Sequence, residues 1–203
     1  MMRRDFKLCG LSLAMSGVVA SGFLLGECRH RQRYGAHSDF ATIVERTVQK
    51  PMGLILEEGQ NCRGAFVVSV NPLGNARTDV LINDVLLAVN NEVVSDYEFD
   101  DVMEAVQRQP GDAVRLTLGR GGEHWVEVRW PNGVGVAATP GESMMLLAAQ
   151  CLAPVQYSCD TGSCGVCEHK LRDKQGQERY ARICRARVPS SLGGVLDVLP
   201  TDR

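Results

Sequence analysis

The sequence predicts an α+β chain of two strand-rich units behind an apolar leader. Three observations carry that reading. Short apolar runs recur between residues 41 and 122 with one helical period among them, a hairpin pattern followed by a helix occupies the stretch after residue 123, and residues 8–26 are 19 consecutive uncharged positions. The length of 203 residues allows one large domain or two small ones. With 22 basic against 24 acidic side chains, the chain lacks the basic excess that would make nucleic acid its main partner.

Residues 1–40 read as a leader or membrane anchor with a polar linker. The 19-residue run only just meets the roughly 17–25 residues that a bilayer crossing takes, and its Gly, Ser and Ala content makes it weakly hydrophobic. Two readings stay open: a cleaved targeting segment with small residues at Val19-Ala20-Ser21, or a single anchor. Arg3 and Arg4 ahead of the run resemble a twin-arginine signal, a route for proteins already folded around a cofactor.

Residues 41–122 form the first unit. Thr42-Ile43-Val44, Gly53-Leu54-Ile55-Leu56 and Ala65-Phe66-Val67-Val68-Ser69-Val70 are strand-like, and Asn71-Pro72-Leu73-Gly74 closes the last as a turn. Val85-Leu86-Leu87-Ala88-Val89 ends at Asn90-Asn91. The helical period runs through Phe99, Val102, Met103 and Val106 and stops at Pro110-Gly111, after which Val114-Arg115-Leu116-Thr117-Leu118 alternates as a closing strand. This order, with Met52-Gly53-Leu54-Ile55 and Asn83-Asp84-Val85-Leu86-Leu87-Ala88-Val89-Asn90, resembles a PDZ domain. The resemblance implies a β-sandwich or partly open barrel, with a short first helix from Asn71-Pro72 to Ala76. Asn83 and Asn91 stand where the family often has glycine.

A PDZ module adds a partner's extended tail to the edge strand at residues 54–57, with a terminal carboxylate held by backbone N–H groups near Met52, Gly53 and Leu54. The resemblance therefore implies a C-terminal peptide ligand, with Ile55 on the pairing strand and Lys50 adding charge attraction. Asp100, Met103 or Glu104, and Gln107 are the candidate groove residues on the helix. Used only as a spacer, the same module would bind no tail. The unit holds 7 basic and 12 acidic residues.

Residues 123–203 form the second unit. Trp125-Val126-Glu127-Val128-Arg129-Trp130, the turn Pro131-Asn132-Gly133 and residues 134–138 read as a hairpin, and residues 143–152 as a helix with Met144, Leu147, Ala148 and Cys151 at helical spacing. A hairpin, a crossing helix and further strands point to a β-grasp. Residues 119–122, Gly-Arg-Gly-Gly, read as a linker without the glycine pattern of a dinucleotide site.

Eight cysteines are present, and their positions argue against a disulfide framework. Cys9, Cys28, Cys62 and Cys151 are scattered: two belong to the leader, Cys62 to a loop and Cys151 to a helix core. Cys159, Cys164 and Cys167 share one loop, and Cys184 follows in Ile183-Cys184-Arg185-Ala186, read as strand-like. This C-x4-C-x2-C spacing with a later cysteine resembles plant-type ferredoxins, which implies a 2Fe-2S cluster on those four thiolates. Gly162 and Gly165 permit the tight curl, while Ser158, Thr161 and Ser163 supply donors around the cluster. Four thiolates also suit zinc, although zinc modules usually present two separated cysteine pairs. His169, next to the third ligand, is a candidate donor to a cluster sulfur.

Two departures from the family qualify the resemblance. Sixteen residues separate Cys167 from Cys184, a shortened excursion, and nine acids balance nine bases in residues 123–203. Lys170, Arg172, Lys174, Arg179, Arg182, Arg185 and Arg187 crowd the cluster end. The functional expectation is a one-electron carrier rather than a substrate-converting enzyme, docked to a membrane redox complex through the PDZ unit. Its protein redox partner would be a photosystem, a cytochrome complex or a reductase. The alternative is an adaptor or assembly factor for a photosynthetic or respiratory complex, with a structural or redox-sensing cluster. The expected location is the plastid thylakoid membrane or its surface, with a bacterial inner membrane or periplasm as the alternative.

Overall fold

In the computed structural model, residues 40–59, 62–122, 124–190 and 194–200 are described. The apolar run 8–26, its flanking arginines, Cys9 and Cys28 lie outside the described residues. Among the described residues, no helix is long and apolar enough to cross a membrane.

The first unit is an antiparallel sheet built from β1 (Thr42–Gln49), β2 (Leu54–Glu58), β3 (Ala65–Val70), β5 (Val85–Val89) and β7 (Ala113–Arg120), in the order β1-β7-β5-β3-β2, with β6 (Glu92–Val93) beside β5. β3 is a β-branched run with Ala65, Val67 and Val70 buried, whereas β2 alternates between half-buried and exposed positions, as suits an edge. β1 extends past its first apolar residues because all eight of its positions pair with β7, from Thr42↔Arg120 to Gln49↔Ala113. Helix α1 (Phe99–Gln107) buries Val102, Ala105 and Val106, and Asp100 and Asp101 in its first turn suit the positive end of its dipole.

The stretch after β3 forms successive turns rather than the short helix expected from Asn71 to Ala76. Asn71 Oδ1 accepts the Leu73 N–H at 2.9 Å, and the Gly74 N–H reaches the Asn71 carbonyl at 2.8 Å. Pro72, Gly74 and Asn75 keep the chain turning instead of winding on. Asn83 and Asn91 both have φ of 73°, so asparagine takes the left-handed conformation usually left to glycine.

The second unit is a β-grasp. β8 (Val126–Arg129) and β9 (Gly135–Ala138) form the hairpin, α2 (Met144–Gln150) buries Met144, Leu147 and Ala148 in the core, β10 (Glu168–Asp173) and β11 (Glu178–Arg182) form a second hairpin, and β12 (Gly194–Val198) runs parallel to β8. The hairpin turn is tied to the end of α2, since Asn132 Nδ2 donates to the Cys151 carbonyl at 2.8 Å.

The two units share a strand. β4 (Leu81–Ile82), which belongs in sequence to the first unit, pairs parallel with β9, so the second sheet runs β11-β10-β12-β8-β9-β4. Gly135 leaves room beneath it: a Cβ there would lie 2.5 Å from Leu81 Cδ2, so that leucine would have to shift. Buried Asn83 follows, and its Nδ2 donates to the Ala137 carbonyl at 3.0 Å. Asp84 then accepts the Leu81 N–H at 2.8 Å and receives Arg120 Nε and Nη2 at 2.8 and 2.7 Å.

Burial pushes the Asp84 carboxyl above its ordinary range, with the Arg120 pair and the Leu81 N–H pulling against it. Arg120 also donates to the Asp79 carbonyl at 3.2 Å. Gly119 and Arg120 are thus the buried end of β7, not part of a linker. Their role is invisible locally because Asp84 lies 36 residues away in sequence. A single apolar core runs from Val67, Leu86 and Leu118 through Ile82 and Val136 to Met144 and Leu196.

Candidate metal centre and open sheet edge

The loop after α2 brings three of the four predicted thiols together, and the turn after β11 delivers the fourth. Cys159 Sγ and Cys164 Sγ lie 3.0 Å apart. Cys159 sulfur gathers the Cys164 N–H at 3.5 Å and Ser163 Oγ at 3.8 Å. The Cys164 thiol, then its N–H, hold Cys159 down at about 5, the direction that favours a metal-binding thiolate. Cys167 and Cys184 are buried, and the Ile183 N–H donates to the Cys167 carbonyl at 3.0 Å, joining the two segments.

Cys184 is pushed up first by its hydrogen bond with the Cys167 thiol, then by burial and the charges of Cys167 and Cys159. Residues 183–185 form a turn rather than the expected strand, because the Arg185 and Ala186 N–H groups both close on the Arg182 carbonyl at 2.9 Å. That turn sets Cys184 against Cys167. The thiols therefore stand as two pairs, Cys159 with Cys164 and Cys167 with Cys184. Among the described residues, no three Cys, His, Asp or Glu side chains are arranged to hold a single metal ion. Two sulfur pairs fit a centre of two irons, one pair on each.

The surrounding residues shape this loop. Gly162 has φ of 79°, and a Cβ on it would lie 2.9 Å from Arg185 Cγ, so both conformation and space demand glycine. Its carbonyl accepts Arg182 Nη1. Gly165 has φ of 73° and turns the chain toward Cys167, its carbonyl accepting the Glu168 N–H at 3.1 Å. Thr161 Oγ1 and Ser163 Oγ are bonded at 2.9 Å, while Ser158 is exposed beside them. His169 is buried with Nδ1 3.2 Å from the Cys167 carbonyl, which makes it a partner of the ligand's backbone.

Of the bases expected to crowd the cluster end, Arg182 and Arg185 stand at the loop, whereas the β10–β11 pairing from Glu168↔Arg182 to Arg172↔Glu178 carries Arg172, Lys174 and Arg179 to the far end of that hairpin. Lys170 meets Glu178 at 3.2 Å, Arg172 meets Asp197 at 3.6 Å, and Arg182 meets Glu168 at 3.5 Å. Lys174, Arg179, Arg185 and Arg187 are exposed, as are Tyr157 and Val166 near the thiols. Burial and then the Cys167 and Cys184 charges push Tyr157 up to about 12.

At the other end of the molecule's sheet order, β2 pairs with β3 alone among the described residues. Gly53 has φ of 74°, and a Cβ there would stand 2.9 Å from Gly74 Cα. The Met52 carbonyl accepts the Ala76 N–H at 3.1 Å and the Gly53 carbonyl accepts the Asn71 N–H at 2.8 Å. Because a trans peptide points its N–H opposite its C=O, the Gly53 and Leu54 N–H groups face away from residues 71–76. Two adjacent donors thus stand at the start of an open edge, a setting for an anionic chain end. Ile55 on that strand is 60% exposed.

Lys50 does not stand free beside those donors: its Nζ donates to the Gln109 carbonyl at 2.7 Å. On α1, Met103 is half-buried and Asp100, Glu104 and Gln107 are exposed. Sequence reasoning missed Phe99 and Glu98, which line a cleft with Glu58, Cys62, Arg63 and Asp100. The available signal was Phe99 four residues before Met103, on one side of the helix.

An interaction sheet with β2 at an open edge, joined by a shared strand to a β-grasp that carries four paired thiols, defines a two-domain chain of the iron–sulfur class. Residues 42–119 match the PDZ domain family, and residues 129–189 match the 2Fe-2S iron-sulfur cluster binding domain family. The chain carries a PDZ domain followed by a 2Fe-2S domain, the first suited to protein interaction and the second to carrying electrons.

Among solved structures, a choanoflagellate SHANK1 PDZ domain bound to a GIRK3 peptide is 26% identical, with 39% of this chain and 92% of that chain covered and a TM-score of 0.36. The third PDZ domain of INAD in complex with a TRP channel tail is also 26% identical, covering 37% and 84% at a TM-score of 0.34. The second PDZ domain of Dlg1 from Monosiga brevicollis is 16% identical, covering 38% and 90% at a TM-score of 0.35. No curated protein matches the chain.

Proposed function

We propose that this chain is a one-electron carrier whose 2Fe-2S cluster is held by Cys159, Cys164, Cys167 and Cys184, and whose PDZ unit docks it on a redox partner. The observation that carries the reading is the pairing of the thiols, Cys159 with Cys164 in one glycine-turned loop and Cys167 with Cys184 where the Ile183 N–H closes on the Cys167 carbonyl. Such a cluster supplies a site that takes up and gives back one electron at a time. The chain's own residues do the rest. Gly162 and Gly165 curl the loop, Arg182 pins it through the Gly162 carbonyl, and exposed Tyr157 and Val166 mark where a partner approaches closely.

Arg182 and Arg185 beside that approach favour a partner with an acidic surface, the reverse of the acidic ferredoxins. The apolar run 8–26 would tether the carrier to a membrane, of a thylakoid or of a bacterium. Carbonate extraction checks this part, since full-length protein released into the wash speaks against an anchor. Iron and sulfide analysis of anaerobically purified protein, repeated on single Cys→Ser variants, tests the ligand assignment. Zinc in place of iron would overturn it.

The shared strand favours a second reading, in which the cluster mainly stabilises an adaptor or assembly factor. β4 couples the PDZ unit to the cluster sheet, so loss of the cluster would weaken the docking unit as well. Electron-transfer kinetics discriminate the two. A reduced protein that passes electrons to no quinone, cytochrome or photosystem pair, while Cys184→Ser stops a complex from accumulating, would favour the adaptor.

A further inference from the structure

We infer that the C-terminal tail received at β2 carries Lys or Arg about four residues before its end. This rests on the reading of β2 as the docking edge. An added strand runs antiparallel to β2, residue against residue, so a chain end at the Gly53 and Leu54 N–H groups brings its residue about four positions upstream beside Glu58, the last of β2's five residues. Glu58 is one wall of the cleft formed with Cys62, Arg63, Glu98, Phe99 and Asp100. Three carboxylates there face one guanidinium, a net charge of −2.

The guanidinium is already engaged, because Arg63 Nη1 donates to the Asp96 carbonyl at 2.7 Å. Glu57 precedes Glu58 on β2, and Asp101 and Glu104 are exposed on α1, so this end of the groove is net negative despite Arg63. The PDZ unit as a whole carries 7 bases against 12 acids. Phe99 and Met103, both half-buried and one helical turn apart, give the groove wall a carbon surface between the donor end and the acidic end. An apolar, then basic, tail read backward from its carboxylate matches that sequence of surfaces. An acidic tail would meet like charge where it leaves the groove.

The test uses the full chain with its cluster and labelled heptapeptides in fluorescence polarisation. One peptide has two lysines at the fourth and fifth positions from an apolar free carboxyl end, one has glutamates there, and one is the lysine peptide with an amidated end. The expected result is at least tenfold tighter binding of the lysine peptide than of the glutamate peptide, narrowing as salt is raised, with the amidated form much weaker.

Glu98→Lys combined with Asp100→Lys should reverse the preference. Glu98 makes no side-chain capping bond to α1, so the exchange does not remove one. Equal binding of the two free-acid peptides overturns the inference and leaves the docking edge standing. Binding of none, or equal binding of the amidated form, overturns the docking-edge reading as well.

Discussion

Replacing Asp84 with Asn tests the shared strand where it is most tightly bound. The carboxylate is wholly buried, its Arg120 partner is only 7% exposed, and the two meet in a bidentate pair while the same carboxylate holds the Leu81 N–H. An amide in its place keeps the shape but leaves Arg120 as an uncompensated buried charge, and breaking such a pair costs about 3–5 kcal/mol. That is a large part of the roughly 5–15 kcal/mol by which a domain is stable. Because Leu81 begins β4, the loss should reach both units. Hydrogen exchange of the cluster-loaded protein should show amides of β7 and of β8 losing protection together by a comparable amount. The double variant Asp84→Leu with Arg120→Met, which removes both charges, should recover most of it. Loss of protection in β7 alone, with β8 unchanged, would refute the claim that β4 makes the two sheets one unit. A cost under about 1 kcal/mol would refute the buried pair itself.

Four further outcomes follow from the same geometry. The midpoint potential should be less negative than the about −400 mV of plant-type ferredoxins, because the arginines around the loop favour the more negative reduced state; a redox titration reads it directly. Arg182→Gln should move that midpoint in the negative direction by some tens of millivolts, since it removes the cation bonded to the Gly162 carbonyl. Gly162→Ala should cost about 1–2 kcal/mol for the left-handed conformation alone and lower the cluster absorbance per chain, given the clash with Arg185.

Cys151, pushed up by burial from 9.0 to about 12, keeps its proton in the fold while the unfolded thiol loses it. Its stabilising contribution is therefore whole below pH 9 and falls through the interval to pH 12 at about 1.4 kcal/mol per pH unit. Urea midpoints at pH 8 and pH 10 should fall less in Cys151→Ala than in the parent protein.

The parts of this molecule that were legible in the sequence are those whose partners are close along the chain. Cys159, Cys164 and Cys167 share one loop, Pro131-Asn132-Gly133 makes its hairpin, and Phe99 to Val106 repeats at helical spacing, so each could be read from a short window. Cys184 was found by residue type, but its turn was mistaken for a strand because Ile183 and Ala186 are apolar and the closing Arg182 carbonyl has no sequence signature. The far half of β1 was missed for a related reason: Glu45, Arg46 and Thr47 belong to an edge strand, where polar residues are tolerated and pairing with β7 fixes the conformation. The β4 seam was wholly hidden. It depends on Asn83 reaching Ala137 and Asp84 reaching Arg120, 54 and 36 residues apart, and a two-residue strand has no periodicity to detect.

The central claim is that four cysteines in two pairs hold a cluster that carries single electrons. Electron paramagnetic resonance of the anaerobically purified chain, taken through a reductive titration with iron and sulfide counted on the same sample, tests it most directly. The account predicts two irons and two sulfides per chain, silent when oxidised, and one unpaired electron per chain on full reduction, lost when Cys159, Cys164, Cys167 or Cys184 is changed to serine. A chain that holds zinc, or that keeps its full signal without Cys184, would contradict it.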